Sequence, residues 1–363
     1  MSRTQRVLAY DALRVFAIVT VVAIHTLMPY RELLPPTAPV RVFDDLLHYA
    51  VPLFVFISGV FVWGRTLPAE KASADKIDWG PLLSRRISIV LVPYLAWSAL
   101  YMTLLARQEP GSLSPLRVLG LLLTGHTWYH LYFVPMLLTF YLLTPLAVPI
   151  LRRSPELLLV GCYLLRILAG PEIAAAFRVL FGDLGWSYAV HIVTHLPHMA
   201  LGAWFAVRHD RLPKQGWFAA LLLAFGTTVL LAASLGATEA LQGPLSRLIY
   251  PVGMAATVLG MALGALSAER FLEPYGRSIV VASALAFGVY LIHPLFLLGI
   301  DALLSAQNGE MLWMQAWFPA TVFISVTAAS FSASAVLARL PAVCRLVGVA
   351  TPLRLSGSER DSG

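Results

Sequence analysis

The stretch RVFAIVTVVAIH, residues 14–25, gives the clearest indication of the structure of this chain. It joins an arginine to a histidine through ten uncharged, almost wholly apolar residues, and the apolar run extends over about residues 9–28. A bilayer core about 30 Å thick is crossed by roughly 20 apolar residues in a helix. The stretch therefore predicts a membrane-spanning helix that carries two ionisable side chains.

The rest of the chain has the composition of a membrane protein. Of its 363 residues, 58% are hydrophobic and 12% are charged, whereas about one-quarter of the residues of an average soluble protein are charged. Runs long enough to span a bilayer lie near residues 9–28, 46–64, 87–106, 128–150, 154–170, 188–207, 216–236, 248–268, 278–300 and 316–338. The sequence predicts an all-α, polytopic membrane bundle of about ten transmembrane helices. Residues 1–338 would form this domain, and residues 339–363 a short basic tail, disordered at its end.

The positions of the 26 Lys and Arg residues predict the orientation of the chain. If the N-terminus is cytoplasmic, most of them fall in cytoplasmic segments, as the positive-inside rule requires. We therefore expect both termini in the cytoplasm. The basic residues behind the net charge of +7 set this topology, so no nucleic-acid partner is predicted. The first run lacks a small-residue cleavage site and is expected to remain as an uncleaved span.

Arg14 and His25 are expected to share one face of the first helix. Eleven residues correspond to three turns plus about 20°, with a rise of about 16 Å. Ionisable groups at this depth usually face the bundle interior and mark a site, which favours a functional role for His25. For Arg14 a second interpretation stays open, in which it pairs with Asp11 one turn earlier and reaches the inner interface.

The other histidines add to the case for proton chemistry. In the predicted topology all but one of the nine histidines lie in outer loops or in the outer to middle part of spans, and imidazoles titrate near neutral pH. His191, His195 and His198 share a helix face, but no nearby Asp or Glu completes a known metal motif. We predict no metal site there, and expect a polar lining or structural hydrogen bonds. His48 and His126 are expected to be interfacial hydrogen-bonding residues.

Five stretches, in order along the chain, carry a family resemblance. They are YDALRVFAIVTVVAIH at 10–25, VPLFVFISGVFVWG at 51–64, RRISIVLVPYL at 85–95, HLYFVPMLLTFYLLTPL at 130–146 and AFGVYLIHPLFL at 286–297. The first resembles a first-helix motif with an arginine followed by a histidine. Together they resemble the integral-membrane acyltransferase 3 family, which acylates sugars of bacterial surface polysaccharides and other acceptors.

The resemblance implies an enzyme of the bacterial cytoplasmic membrane that carries an acyl group, by analogy acetyl, from cytoplasmic acyl-CoA to a hydroxyl of a cell-surface or lipid-linked saccharide. Acetyl-CoA would be a co-substrate, membrane lipids would surround the chain, and no tightly bound cofactor or metal is implied. The implied residues are His25 and Arg14 for catalysis, Asp11, Ser58, His130 and His293 on the supporting or acceptor side, and Arg85, Arg86 and Tyr94 for the donor.

One departure from the family concerns the donor residues. Relatives often have another arginine where Val90 stands here, so Arg85 and Arg86 have a rival interpretation as positive-inside charges. As an enzyme, the chain would use His25 as general base or transient acyl carrier, with His130 and His293 orienting the acceptor or stabilising the oxyanion.

The alternative class is a transporter with an intramembrane His/Arg relay. No repeat symmetry or pair of broken helices in the sequence favours it.

Overall fold

The computed structural model describes residues 7–35, 38–64, 79–213, 215–236, 244–307, 309–315 and 317–353. The structure is 87% helical, and no strand occurs among these residues. The all-α prediction is therefore confirmed.

Fourteen α-helices follow one another along the described ranges. They are α1 Leu8–Leu33, α2 Pro39–Leu47, α3 Ala50–Gly59, α4 Trp79–Gln108, α5 Pro115–Thr124, α6 Phe133–Leu142, α7 Thr144–Arg153, α8 Pro155–Leu164, α9 Gly170–Arg208, α10 Gly216–Ser234, α11 Pro244–Ser267, α12 Glu269–Leu272, α13 Gly276–Ala306 and α14 Phe318–Arg339. Two π-helical turns, Val60–Gly64 and Leu165–Ala169, extend α3 and α8. A short 3-10 helix, Cys344–Val347, follows α14.

Eight helical segments of the described chain are long and apolar enough to cross a membrane, or nine if α6 and α7, which meet at 58°, form one bent span. One segment, Pro155–Arg211, has 57 residues and would be about 85 Å long if straight, which exceeds the bilayer core. It is interrupted at Gly182, where φ is 69°. The predicted runs 154–170 and 188–207 lie on either side of this break. The polytopic membrane bundle is confirmed.

Helix α1 lies in the middle of the bundle and contacts α2, α3, α11, α13 and α14. Ala9 and Ala17 on α1 are fully buried, and such small side chains let neighbouring backbones approach. The same device joins α3 to α9, where a Cβ on Gly202 would lie only 1.9 Å from the Phe56 carbonyl oxygen. The polar residues of α1 are thus held among packed helices.

Residues 340–353, here called the C-terminal segment, fold back onto the bundle. Cys344 and Val347 are buried against α4, α13 and α14. The indole nitrogen of Trp97 donates to the Leu346 carbonyl at 2.8 Å, and the Leu353 amide donates to the Ala338 carbonyl at 3.0 Å. The predicted disorder at the end of the tail concerns residues 354–363, which lie outside the described residues.

Candidate active site

A cavity of about 510 Å³ lies inside the bundle beside α1. This volume lies in the range typical of small-molecule sites. Arg14 and His25 both line it, as expected for residues on one face of α1, and Ser58 of α3 and His130 before α6 join them. The structure thus brings four of the residues singled out from the sequence to one space.

His25 makes a direct contact with His293 of α13. Its Nδ1 lies 2.6 Å from Nε2 of His293, and the two rings are nearly parallel, with 5° between their planes and centroids 4.9 Å apart. Nδ1 of His293 lies 3.0 Å from the Val289 carbonyl oxygen, which only accepts, so this nitrogen carries the proton. In a neutral ring the other nitrogen is then an acceptor, and His25 donates to it.

This chain of hydrogen bonds determines the state of His25. With Nδ1–H donating to His293, a neutral His25 keeps a lone pair on Nε2, which has no hydrogen-bond partner among the described residues. A carbonyl or carboxylate that fixes one nitrogen of an imidazole determines what the other can do. Here the Val289 carbonyl fixes the His293 ring, and His293 in turn fixes Nδ1 of His25. Nε2 of His25 is therefore the nitrogen free to accept a proton.

His130 is buried but has unused hydrogen-bonding capacity. Its ring centroid lies 5.5 Å from that of His293 and 6.4 Å from that of His25. Neither of its ring nitrogens has a partner among the described residues, although its carbonyl accepts from the Tyr290 hydroxyl at 2.6 Å. Buried polar atoms are nearly always paired, so a ring left unpaired beside a cavity is suited to binding a ligand.

The other end of the cavity holds an ion pair. The Asp11 carboxylate is almost fully buried and accepts from Arg14 Nη1 at 3.0 Å and from the Ser283 hydroxyl at 2.7 Å. The Arg14 guanidinium also lies over the Phe61 ring, 4.7 Å from its centroid. Arg14 therefore pairs with Asp11 and lines the cavity at once, so the two interpretations of this residue are compatible.

The three predicted donor residues lie in different places. Arg85 lines a second cavity of about 310 Å³. Arg86 donates to the carbonyls of Phe61 and Val62 at 3.2 Å each, at the π-helical end of α3. The buried Tyr94 hydroxyl donates to the Leu122 carbonyl at 2.6 Å. Arg86 and Tyr94 line neither cavity.

Aromatic residues around the cavity were missed in the sequence. They are Phe54, Tyr132, Phe133, Phe287 and Tyr290. Tyr290 stands three residues before His293 on the same helix, so helical spacing would have found it. Tyr129, whose ring centroid lies 4.9 Å from that of His25, gives no such signal. His48 also lines the cavity, in addition to its bond to the Asp44 carbonyl.

Two other polar groups lie beside this arrangement, although His48 of the second group itself lines the cavity. His191 stacks on Tyr132 with centroids 3.8 Å apart. Tyr132 lines the cavity, so His191 lies behind the cavity wall. Asp44, Asp45 and His48 each offer a ligand atom within 4.8 Å of the others. The Arg31 guanidinium already donates to both of these carboxylates, at 2.7 and 3.0 Å.

Comparison with known proteins identifies the family. A family model described as an acyltransferase domain, that of the acyltransferase 3 family, matches residues 7–339 and so covers nearly the whole chain. A comparison with curated proteins gives no match, and neither does a comparison with solved structures. With its helices long enough to span a bilayer, the protein is a multi-pass membrane acyltransferase and belongs to the acyltransferase 3 family.

Proposed function

We propose that the protein transfers an acyl group, acetyl by analogy with the family, from acyl-CoA to a hydroxyl of a saccharide, with His25 as general base. The observation that carries the proposal is the hydrogen-bond chain from the Val289 carbonyl through His293 to His25 at the wall of an internal cavity. The family match favours this enzyme over the transporter that the sequence left open.

The chemistry follows from the free lone pair of His25. The acceptor hydroxyl transfers its proton to Nε2 as its oxygen attacks the thioester carbonyl carbon, which forms a tetrahedral oxyanion. The oxyanion collapses, the carbon–sulfur bond breaks, and the leaving thiolate takes the proton from His25. The products are the O-acyl saccharide and free CoA thiol, and His25 returns to its neutral state.

His293 and His130 support this step in different ways. When His25 gains its second proton, its Nδ1–H bond to His293 becomes charge-assisted and therefore stronger. His130, with both ring nitrogens unpaired, is placed to donate to the oxyanion or to the acceptor. Ser58, whose hydroxyl also bonds to the Phe54 carbonyl, is assigned to the acceptor side.

The direction of transfer is assigned from the charges of the chain. With both termini in the cytoplasm of a bacterial cell, the Arg14 end of the cavity faces inward and the His25 end faces outward. The donor then approaches past Arg14 and Asp11, and the saccharide approaches from the opposite side. This arrangement lets one buried base serve substrates from both sides of the cytoplasmic membrane.

The experiment uses full-length protein in nanodiscs and follows thiol release from acetyl-CoA with and without glycan acceptors. We expect His25→Ala to lower acceptor-dependent turnover by at least 10²-fold, since general-base catalysis contributes about 10²–10⁴. His209→Ala, outside the cavity, is the matched control. Wild-type turnover by His25→Ala would remove His25 from the mechanism.

A second measurement names the acceptor and tests for an acyl-enzyme. An ester that is lost from surface glycans on deletion of the gene and restored by complementation identifies the acceptor and the acyl group. Intact mass of the protein after mixing with acetyl-CoA alone reports a covalent acyl-His25, whose accumulation would contradict direct transfer.

A further inference from the structure

The second cavity is lined by two arginines and is therefore positively charged. Four residues of α4 and four of the C-terminal segment line it, including Arg85, Ser88 and Arg345, and no Asp or Glu is among these described lining residues. Neither Arg85 nor Arg345 forms an ion pair with a described carboxylate. Other exposed arginines do form such pairs, as Arg117 does with Glu109 at 3.0 Å. This basic cavity therefore presents two guanidinium groups from two distant parts of the chain.

The basic cavity adjoins the cavity of the active site. Ile89 and Gly348 line both of them. Ser283, which bonds to Asp11, and Phe287 also line the larger cavity, so the contact between the cavities lies toward the Arg14 end. A ligand with an anionic group between the two arginines would thus reach past Ile89 and Gly348 toward His25.

The position of Arg345 is fixed by packing. Its neighbours Cys344 and Val347 are buried, and the Leu346 carbonyl accepts from Trp97. Gly348 turns the chain with φ 75°, and a Cβ there would lie 2.4 Å from Cδ1 of Phe287. Only a residue without a side chain fits this turn easily. Arg345 lies beyond residue 339, where the match to the family ends.

We infer that Arg345 of the C-terminal segment completes an anion site at the inner mouth of the passage together with Arg85, for which the family resemblance already implies a donor role, and that Arg345 binds the phosphate groups of the acyl-CoA donor. The inference rests on the proposed function, because it takes acyl-CoA as the donor. Coenzyme A carries its phosphates at one end of a long uncharged arm and its thioester at the other, which matches two arginines at the mouth and a base inside. Arginine is suited to this task because its planar fork donates to two phosphate oxygens at once.

The test compares a donor that has the phosphate-bearing nucleotide with one that does not. Acetyl-CoA and acetyl-pantetheine deliver the same thioester, but acetyl-pantetheine lacks the nucleotide and its phosphates. For Arg345→Ala and for Arg85→Ala we expect the KM for acetyl-CoA to rise about 10-fold or more. We expect turnover with acetyl-pantetheine to change by less than about 2-fold. Arg345→Lys should recover part of the loss, and Arg153→Ala, at the exposed end of α7, is the control for charge.

The outcomes separate this inference from the proposed function. Calorimetric binding of CoA itself gives a readout that does not need turnover, and a monodisperse elution profile with unchanged Tm shows that each variant is folded. Weakened CoA binding in both arginine variants supports the site even if no glycan is acylated. Unchanged CoA binding in the double variant, or equal losses with both donors, would overturn the inference while leaving acyl transfer intact. A wild-type protein that neither binds CoA nor releases thiol would overturn both.

Discussion

Replacing His293 by leucine tests whether a second imidazole prepares His25 for catalysis. His293→Leu places an apolar side chain of similar size at this buried position but removes the Nε2 acceptor that lies 2.6 Å from His25 Nδ1. Val289 loses only a side-chain donor within its own helix. The His25 ring is then no longer held in the tautomer that leaves Nε2 free, and its protonated form loses a charge-assisted bond.

The magnitude follows from that bond. A hydrogen bond to a charged group is worth about 1.5–3 kcal/mol, and each 1.36 kcal/mol is a factor of ten in rate. We therefore expect kcat to fall about 10- to 150-fold, with the KM for acetyl-CoA changed less than about 2-fold because His293 acts after the donor has bound. His293→Gln retains an acceptor near the Nε2 position and should recover part of the rate.

The assay is acceptor-dependent thiol release by protein in nanodiscs, with acetyl-CoA and the acceptor varied separately. A His293→Leu enzyme with the wild-type kcat would refute the assignment of His293 as the positioning residue. Equal losses of kcat for His293→Leu and His293→Gln would show that the His293 ring contributes packing and does not act by accepting a hydrogen bond from His25.

The remaining predictions concern the donor end, the topology and the C-terminal segment. Arg14→Lys keeps the charge but loses the planar fork, so the KM for acetyl-CoA should rise about 10-fold; unchanged kinetics would return Arg14 to a purely structural pair with Asp11. An alkaline-phosphatase fusion in the 301–315 segment, which contains the end of α13 and has no Lys or Arg, should be active. A fusion in the 65–86 segment should be inactive, and the reverse pattern would invert the orientation. Gly348→Ala, at φ 75°, should lower the free energy of unfolding by roughly 1–2 kcal/mol, seen as a lower Tm in detergent, and an unchanged Tm would contradict the tight turn.

Features that depend on local pattern were predictable from the sequence. Apolar runs of spanning length gave the helices, because the bilayer sets their length and polarity. The spacing of Arg14 and His25 placed both on one face of α1, and both line the cavity. The spacing of three residues also predicted that Asp11 pairs with Arg14, and in the structure Arg14 Nη1 lies 3.0 Å from Asp11 Oδ1.

Contacts between distant segments were not predictable in the same way. His25 and His293 are 268 residues apart, and no local property of either stretch fixes their separation or the tautomers that result from it. The run LPAVCRLVGVATPL at 340–353 is too short to span a bilayer, so the pattern predicts only a tail. Its burial depends on a groove between α4, α13 and α14 that exists only after those helices have packed.

The pairing of Asp11 with Arg14 has a consequence for how the protein is made. Helix α1 leaves the ribosome long before α13, because Ser283, which completes the hydrogen bonds of Asp11, is synthesised 272 residues later. Without a partner, the Asp11 carboxylate would lie in or near lipid during that interval, at a high cost in free energy. Because its arginine partner is only three residues away, the nascent helix already neutralises this charge by itself. The same contact that lies at the donor end of the finished cavity thus lets α1 enter the membrane before the later helices of the site exist.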